Sequence, residues 1–162
     1  VCPQIYGGGQ QGGMRSGTLP TPLCVGFGRA AEIIQRPEFA GKQEQLSKLR
    51  DILWRELNSR HENLKLNGPG LKERHPGNLN ILFEGADTRQ MLSSMQPHVA
   101  VSMGSACASG IPEPSYVLRC IGLNEEQANG SLRLSPGFGT TASDVTQAID
   151  IISGVYEDLA ED

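Results

Sequence analysis

The chain has 162 residues, enough for one domain with its own core and too few for two of ordinary size. Its 14 Lys and Arg against 18 Asp and Glu leave a formal charge of −4, which excludes the clustered cationic surface that nucleic-acid binding requires. No apolar run approaches the roughly 18 residues of a membrane span, and no basic-then-apolar leader opens the sequence, so neither nucleic acid nor membrane is an expected partner and a cytoplasmic location is expected.

Residues 1–22 carry six glycines and three prolines and read as irregular backbone. Apolar residues at three- and four-residue spacing then predict helices over 23–35 and 42–60, separated by Pro37 and Gly41. In the second, Leu46, Leu49, Ile52, Leu53 and Leu57 form one stripe for burial. Residues 78–85 follow Pro76-Gly77 and read as a strand, and 88–96 as a short helix capped by Asp87 or Thr88. A second short strand is expected at 98–103, a helix from Pro114 closed by Gly122, a third strand at 130–136, and a last amphipathic helix over 141–162 capped by Thr141 or Ser143. Strands alternating with helices give an α/β fold with few strands.

Cys107 stands among small residues in "GSACASGIPEP", where turns form and a core has little use for a thiol. The helix start at Pro114 would favour its thiolate, although burial as a small apolar group is the competing reading. Cys24 and Cys120 lie beside apolar neighbours in predicted helices and are expected in the core. The four cysteines show no paired spacing, so reduced thiols are expected, and His61, His75 and His98 make no metal-ligand pattern. "GGGQQGGMRSGT" combines flexible backbone with Arg15, Ser16 and Thr18, the ingredients of an anion site or simply of a linker. Arg133 interrupts an apolar strand, either as a solvated side chain or as a planar fork for a carboxylate.

Four segments, "GGGQQGGMRSGTLPTP" (7–22), "HPGNLNILFEG" (75–85), "VSMGSACASGIPEPSYVLRCIGL" (101–123) and "GSLRLSPGFGTT" (130–141), together resemble the C-terminal part of the cysteine desulfurases, pyridoxal-phosphate enzymes of the class V aminotransferase group. The resemblance spans nearly the whole chain, and the cysteine block is similar to the longer-loop subgroup. It implies that 1–22 trail from the cofactor-binding domain, that 23–60 are connecting helices, and that 61–162 form the small C-terminal α/β domain. It further implies that Cys107 takes sulfur from L-cysteine as a persulfide and releases L-alanine, that Arg133 holds the substrate carboxylate, and that Thr18 reaches the pyridoxal phosphate of the neighbouring subunit in a homodimer. A sulfur-acceptor protein, such as an iron–sulfur scaffold, would be the partner. Selenocysteine lyases share these motifs, and a stand-alone persulfide carrier is the non-enzymatic alternative.

The chain departs from the family where Gln11-Gly12 replaces Glu-Arg, Met103 replaces Ser and Phe138 replaces Arg. The family's Schiff-base lysine, ring-stacking histidine and pyridine-facing acid precede the Gly-rich segment. None of Lys42, Lys48, Lys65 and Lys72 stands in a His-Lys pair, so the resemblance implies that the chain is active only together with an N-terminal portion.

Overall fold

The computed structural model describes residues 1–103 and 114–160, and the chain divides into two units, Val1–Gly41 and Lys42–Asp162. In the first unit the glycine-rich segment has no regular structure apart from a 3-10 turn at Gln10–Gly13, with Gly12, Gly13 and Gly17 in the left-handed region at φ of 65°, 81° and 89°. Helix α1, Thr21–Ile34, begins two residues before its predicted start because Pro22 lies in the first turn, where a missing N–H breaks no bond. No residue of α1 is buried, and Leu23, Val25 and Phe27 expose 72%, 66% and 79% of their surface.

Helix α2, Pro37–Arg60, also starts early, on a proline, and continues through Gly41. Its buried stripe is Leu46, Leu49, Leu53 and Leu57, but Ile52 is 45% exposed. At 100° per residue Ile52 lies roughly 100° round from the stripe centre, whereas Arg50 lies only about 55° away, and Arg50 is the residue buried instead.

Three antiparallel strands, β1 (Leu64–Leu66), β2 (Leu79–Phe83) and β3 (Ser131–Leu134), form one sheet in the order β1-β2-β3. The register pairs Leu64 with Phe83 and Leu79 with Leu134. Period-two alternation therefore puts Leu64, Leu79, Ile81, Phe83, Leu132 and Leu134 on one face, where all are buried. Helix α3 (Thr88–Ser94) is capped by Asp87, whose carboxylate accepts from the N–H of Arg89 at 2.9 Å and Gln90 at 3.3 Å. After it come α4 (Tyr116–Cys120), α5 (Glu125–Asn129) and α6 (Ala142–Ala160). The core joins the sheet face to Leu49, Leu53 and Leu57 of α2, Met91 and Met95 at α3, and Val145, Ile149, Ile152 and Tyr156 of α6. At roughly 1.5–3 kcal/mol for each buried side chain of this size, that cluster is the main stabilising term of the second unit. Burial, and secondarily the charge of Glu84, pushes the Tyr156 phenol above its ordinary range, and its hydroxyl donates to Glu84 O at 3.0 Å.

The layered helix-and-sheet architecture agrees with the α/β reading, with every pairing antiparallel. The strand expected at 98–103 shrinks to a single bridge between Ser102 and Arg133, because the N–H groups of His98 and Val99 close the turn after α3 on Met95 O at 2.9 and 3.0 Å. Two elements were not expected. β1 has three residues, and α5 is a short turn set by a capping box in which Asn124 Oδ1 accepts from Gln127 N (2.8 Å) and Gln127 Oε1 from Asn124 N (3.0 Å). Among the described residues no helix is long and apolar enough to cross a membrane.

Candidate functional site

Arg133 owes its position to the sheet register. Phe83 N donates to Gly130 O at 2.8 Å, so the facing pair Asn80–Arg133 falls at a non-hydrogen-bonded position, where opposing side chains stand closest. The backbone N–H and C=O of Arg133 turn to the other side and exchange both bonds with Ser102, at 2.6 and 3.2 Å. Asn80, Arg133 and Ser102 thus project in one row from the sheet face opposite the core. Arg133 is exposed, and its Nη2 makes one long bond, 3.4 Å, to Ser102 Oγ. Among the described residues its other side-chain donors have no partner, an arrangement that suits a solvated side chain and a carboxylate fork alike.

Beside that row runs a buried polar network. Asn67 Nδ2 donates to Asn80 Oδ1 at 2.7 Å and to Ser131 Oγ at 2.9 Å, and Ser131 Oγ donates to Gln127 O at 2.6 Å. Asn67 and Ser131 are 7% and 0% exposed. The turn leading into β2 is held from below: Asn78 N donates to His75 O at 2.9 Å, Gly77 N to His75 Nδ1 at 3.1 Å, and the buried Arg50 donates Nη1 to His75 O at 3.2 Å. Arg74, whose guanidinium burial and then the charge of Arg50 push below its ordinary value, clasps Asn67 O at 2.8 Å and Pro69 O.

Thr18 belongs to the first unit, on a loop that its own side chains organise. Arg15 Nη1 donates to the carbonyls of Ser16, Gly17 and Thr18 at 3.1, 3.0 and 3.1 Å. Buried Ser16 donates Oγ to Gly8 O at 2.5 Å, and Gly17 N donates to Gln10 Oε1 at 3.0 Å. The segment is therefore neither a plain linker nor a point where three donors converge. Arg15 and Ser16 are engaged in shaping the loop, and exposed Thr18 is left with its hydroxyl unengaged among the described residues.

Cys107 lies outside the described residues. The segment that leads to it does not: Ser102 is bonded to Arg133, and Met103, one of the departures from the family, is half-buried against the core. Cys24 and Cys120 are exposed rather than buried, since α1 buries nothing and α4 buries only Leu118. His61 is packed edge-on against Tyr156, with ring centres 5.1 Å apart. Among the described residues no group of His, Cys, Asp and Glu could hold a metal ion. All four lysines are exposed, and Lys48 and Lys65 are paired with Glu44 and Glu84 at 2.7 and 2.8 Å, so none is desolvated in the way a Schiff-base amine requires. A groove of about 320 Å³ between residues 98–101 and α6 is lined chiefly by Val99, Val101, Leu134, Val145 and Ile151, and Arg133 is not among its walls.

Sequence reasoning singled out Arg133 but not the residues around it. Asn80 and Ser131 lie inside the family-like segments 75–85 and 130–141 without standing out there, Asn67 lies in none of them, and only the register and α5 bring the three together.

The sequence model of the family described as aminotransferase class-V matches residues 5–148. Over 158 residues, 98% of this chain, the sequence is 43% identical to a protein named cysteine desulfurase IscS from Colwellia psychrerythraea, of which it covers 38%. A protein of the same name from Rickettsia typhi is 43% identical over 159 residues, again 98% of this chain and 38% of the relative. The fold is similar to the crystal structure of a NifS-like protein from Rickettsia africae, with a TM-score of 0.76 and 26% identity over 96% of this chain and 40% of that one. The chain thus spans about 38% of the length of the curated relatives it matches.

Proposed function

This chain belongs to the aminotransferase class-V family, and from that premise we propose that it is the C-terminal portion of a pyridoxal-phosphate-dependent cysteine desulfurase, working together with a portion that supplies the Schiff-base lysine. The observation that carries the reading is the pair of backbone bonds between Arg133 and Ser102. Ser102 precedes Cys107 by five residues, and a chain spans at most about 3.6 Å per residue, so the sequence allows at most roughly 18 Å between their Cα atoms.

In this reading Arg133 grips the carboxylate of L-cysteine through two parallel N–H bonds and fixes the orientation of the amino acid. Cys107, as thiolate, attacks the substrate sulfur. The S–S bond forms as the carbon–sulfur bond breaks, leaving a persulfide on Cys107 and, once the carbon takes a proton, L-alanine. The cofactor, when bound, supplies the electron sink that weakens the carbon–sulfur bond. Thr18, with an unengaged hydroxyl on a loop that Arg15 holds in shape, fits a donor to the cofactor phosphate, and in a homodimer that phosphate would be the neighbouring subunit's. No lysine here fits the aldehyde, as their exposure indicates. The uncovered apolar side chains of α1 likewise suit a segment meant to be covered by further protein. The persulfide would pass to an acceptor protein such as an iron–sulfur scaffold.

The test is reconstitution. The chain alone, mixed with pyridoxal phosphate, should show no lysine-linked visible absorbance. Co-expressed with the N-terminal portion of a curated relative, it should release alanine from cysteine, and Cys107→Ala should abolish this. Alanine release that survives Cys107→Ala would refute the assignment.

A further inference from the structure

We propose that Asn80 is a second substrate-binding residue, its side-chain Nδ2 donating to the same carboxylate that Arg133 grips and so favouring cysteine over thiols without a carboxylate. The inference rests on the desulfurase reading of Arg133 and adds to it a residue on a different strand.

The orientation of the Asn80 amide follows from a chain of hydrogen bonds that begins at a group with only one option. Gln127 O is a backbone carbonyl and can only accept, so the single proton of Ser131 Oγ goes to it, at 2.6 Å. Ser131 Oγ must then accept from Asn67, at 2.9 Å, which requires that Asn67 present its NH₂ there. The same nitrogen lies 2.7 Å from Asn80, so Asn80 must present its oxygen. With Asn67 and Ser131 buried, the Asn67 amide cannot exchange this arrangement for one with water. The NH₂ of Asn80 is consequently turned away from Asn67, and among the described residues it has no acceptor.

A purely structural asparagine facing an arginine across a non-hydrogen-bonded pair would present its oxygen to the guanidinium, since an acceptor beside a cation is the favourable choice. Here the network commits that oxygen to Asn67 instead. A donor-only cation and a donor-only NH₂ stand on adjacent strands, with Cβ atoms about 4.5–5.5 Å apart by the geometry of such pairs, and both are open to an acceptor from outside. An ionised carboxylate, with two oxygens and about four acceptor positions, can serve the fork and the amide together.

The experiment uses the enzyme reconstituted with the N-terminal portion of a curated relative. Asn80→Ala is expected to raise KM for L-cysteine about tenfold, with kcat within twofold, while the inhibition constant of cysteamine, which lacks the carboxylate, stays unchanged. Asn80→Asp keeps the acceptor for Asn67, and with it the fold, but replaces the donor by a negative charge; KM should rise further than in the alanine variant. If the unmutated assembly turns over cysteine and either variant, folded by circular dichroism, keeps its KM within twofold, the role of Asn80 is overturned while the desulfurase reading stands. If KM for cysteine and the cysteamine constant rise together, Asn80 acts through general packing and the proposal fails. Failure of the unmutated assembly to release alanine would overturn the desulfurase reading, and this inference with it.

Discussion

Arg50 is a guanidinium with 2% of its side chain exposed, and its charge is met by one carboxylate: Asp51 Oδ1 accepts from Nε at 2.9 Å and from Nη2 at 2.7 Å. Two neutral acceptors complete its shell, Ser47 Oγ at 3.0 Å and His75 O at 3.2 Å. Replacing Asp51 by Ala leaves a buried cation without a counter-charge. Breaking such a pair costs about 3–5 kcal/mol when both partners are buried, but Asp51 is 26% exposed and two bonds remain, so about 2–3 kcal/mol is expected. Arg50→Met removes the charge and keeps most of the volume, losing chiefly the bonds to Ser47 and His75, for about 1–2 kcal/mol. The double variant has no buried cation to strand. Its cost should be close to that of Arg50→Met alone, which makes the coupling between the two sites about 2 kcal/mol. Urea unfolding of the 162-residue chain, followed by far-ultraviolet circular dichroism with m compared across the four proteins, reads this directly. Costs that add to within about 0.5 kcal/mol at constant m would refute the claim that Asp51 serves to neutralise a buried charge.

Gly77→Ala would put a Cβ 2.9 Å from Pro136 O and 3.3 Å from Leu46 Cδ2, so a loss of about 1–3 kcal/mol is expected in the same assay, and a neutral result would mean that the turn before β2 is free to move. Arg133→Lys, at an exposed position, should leave the urea midpoint unchanged but raise KM for cysteine in the reconstituted enzyme by about tenfold or more, since an ammonium cannot grip two oxygens in parallel; an unchanged KM would remove Arg133 from the substrate site. At the start of α6, Asp144 accepts from Thr141 N at 2.8 Å while Thr141 Oγ1 accepts from Asp144 N at 3.2 Å; the Thr141 backbone N–H foremost, and then its side chain, hold the Asp144 carboxyl below its ordinary value. A depressed folded-state value contributes stability that is complete above the ordinary aspartate range and lost as the pH falls through the lowered value. Asp144→Asn should therefore lower the urea midpoint at neutral pH, with the difference from the unmutated chain narrowing as the pH is taken down through that range. A gap independent of pH would argue against the box.

What the sequence makes legible here is periodicity, and what it hides is whatever depends on partners from elsewhere in the chain. The leucine stripe of α2 was readable because three- and four-residue spacing determines a helix face, yet the same spacing admitted Ile52 and overlooked Arg50; the choice between them rests on Asp51, Ser47 and the carbonyl of His75, 25 residues away. Cys24 and Cys120 looked like core because their neighbours are apolar, but an apolar neighbour is buried only where something covers it, and within their units nothing covers α1 and little covers α4. The strand at 98–103 had the right composition and lost its backbone donors to the turn that ends α3.

The site divides along the same line. Arg133 stands out in sequence because a charge interrupts an apolar strand, so its type and position together pose a question. Asn80 poses none: it is an ordinary polar residue on the outward side of β2. Its place in the network comes from a bond order that starts at Gln127, in a helix of five residues, passes through Ser131 and Asn67, the residue after β1, and ends at the amide oxygen. The NH₂ of Asn80 is left without an acceptor among the described residues because that chain takes its oxygen. The proposed role of Asn80 therefore predicts that a substitution at Asn67 or Ser131 raises KM for cysteine in the reconstituted enzyme more than a change at exposed Asn124, which shares the capping box but lies off this path.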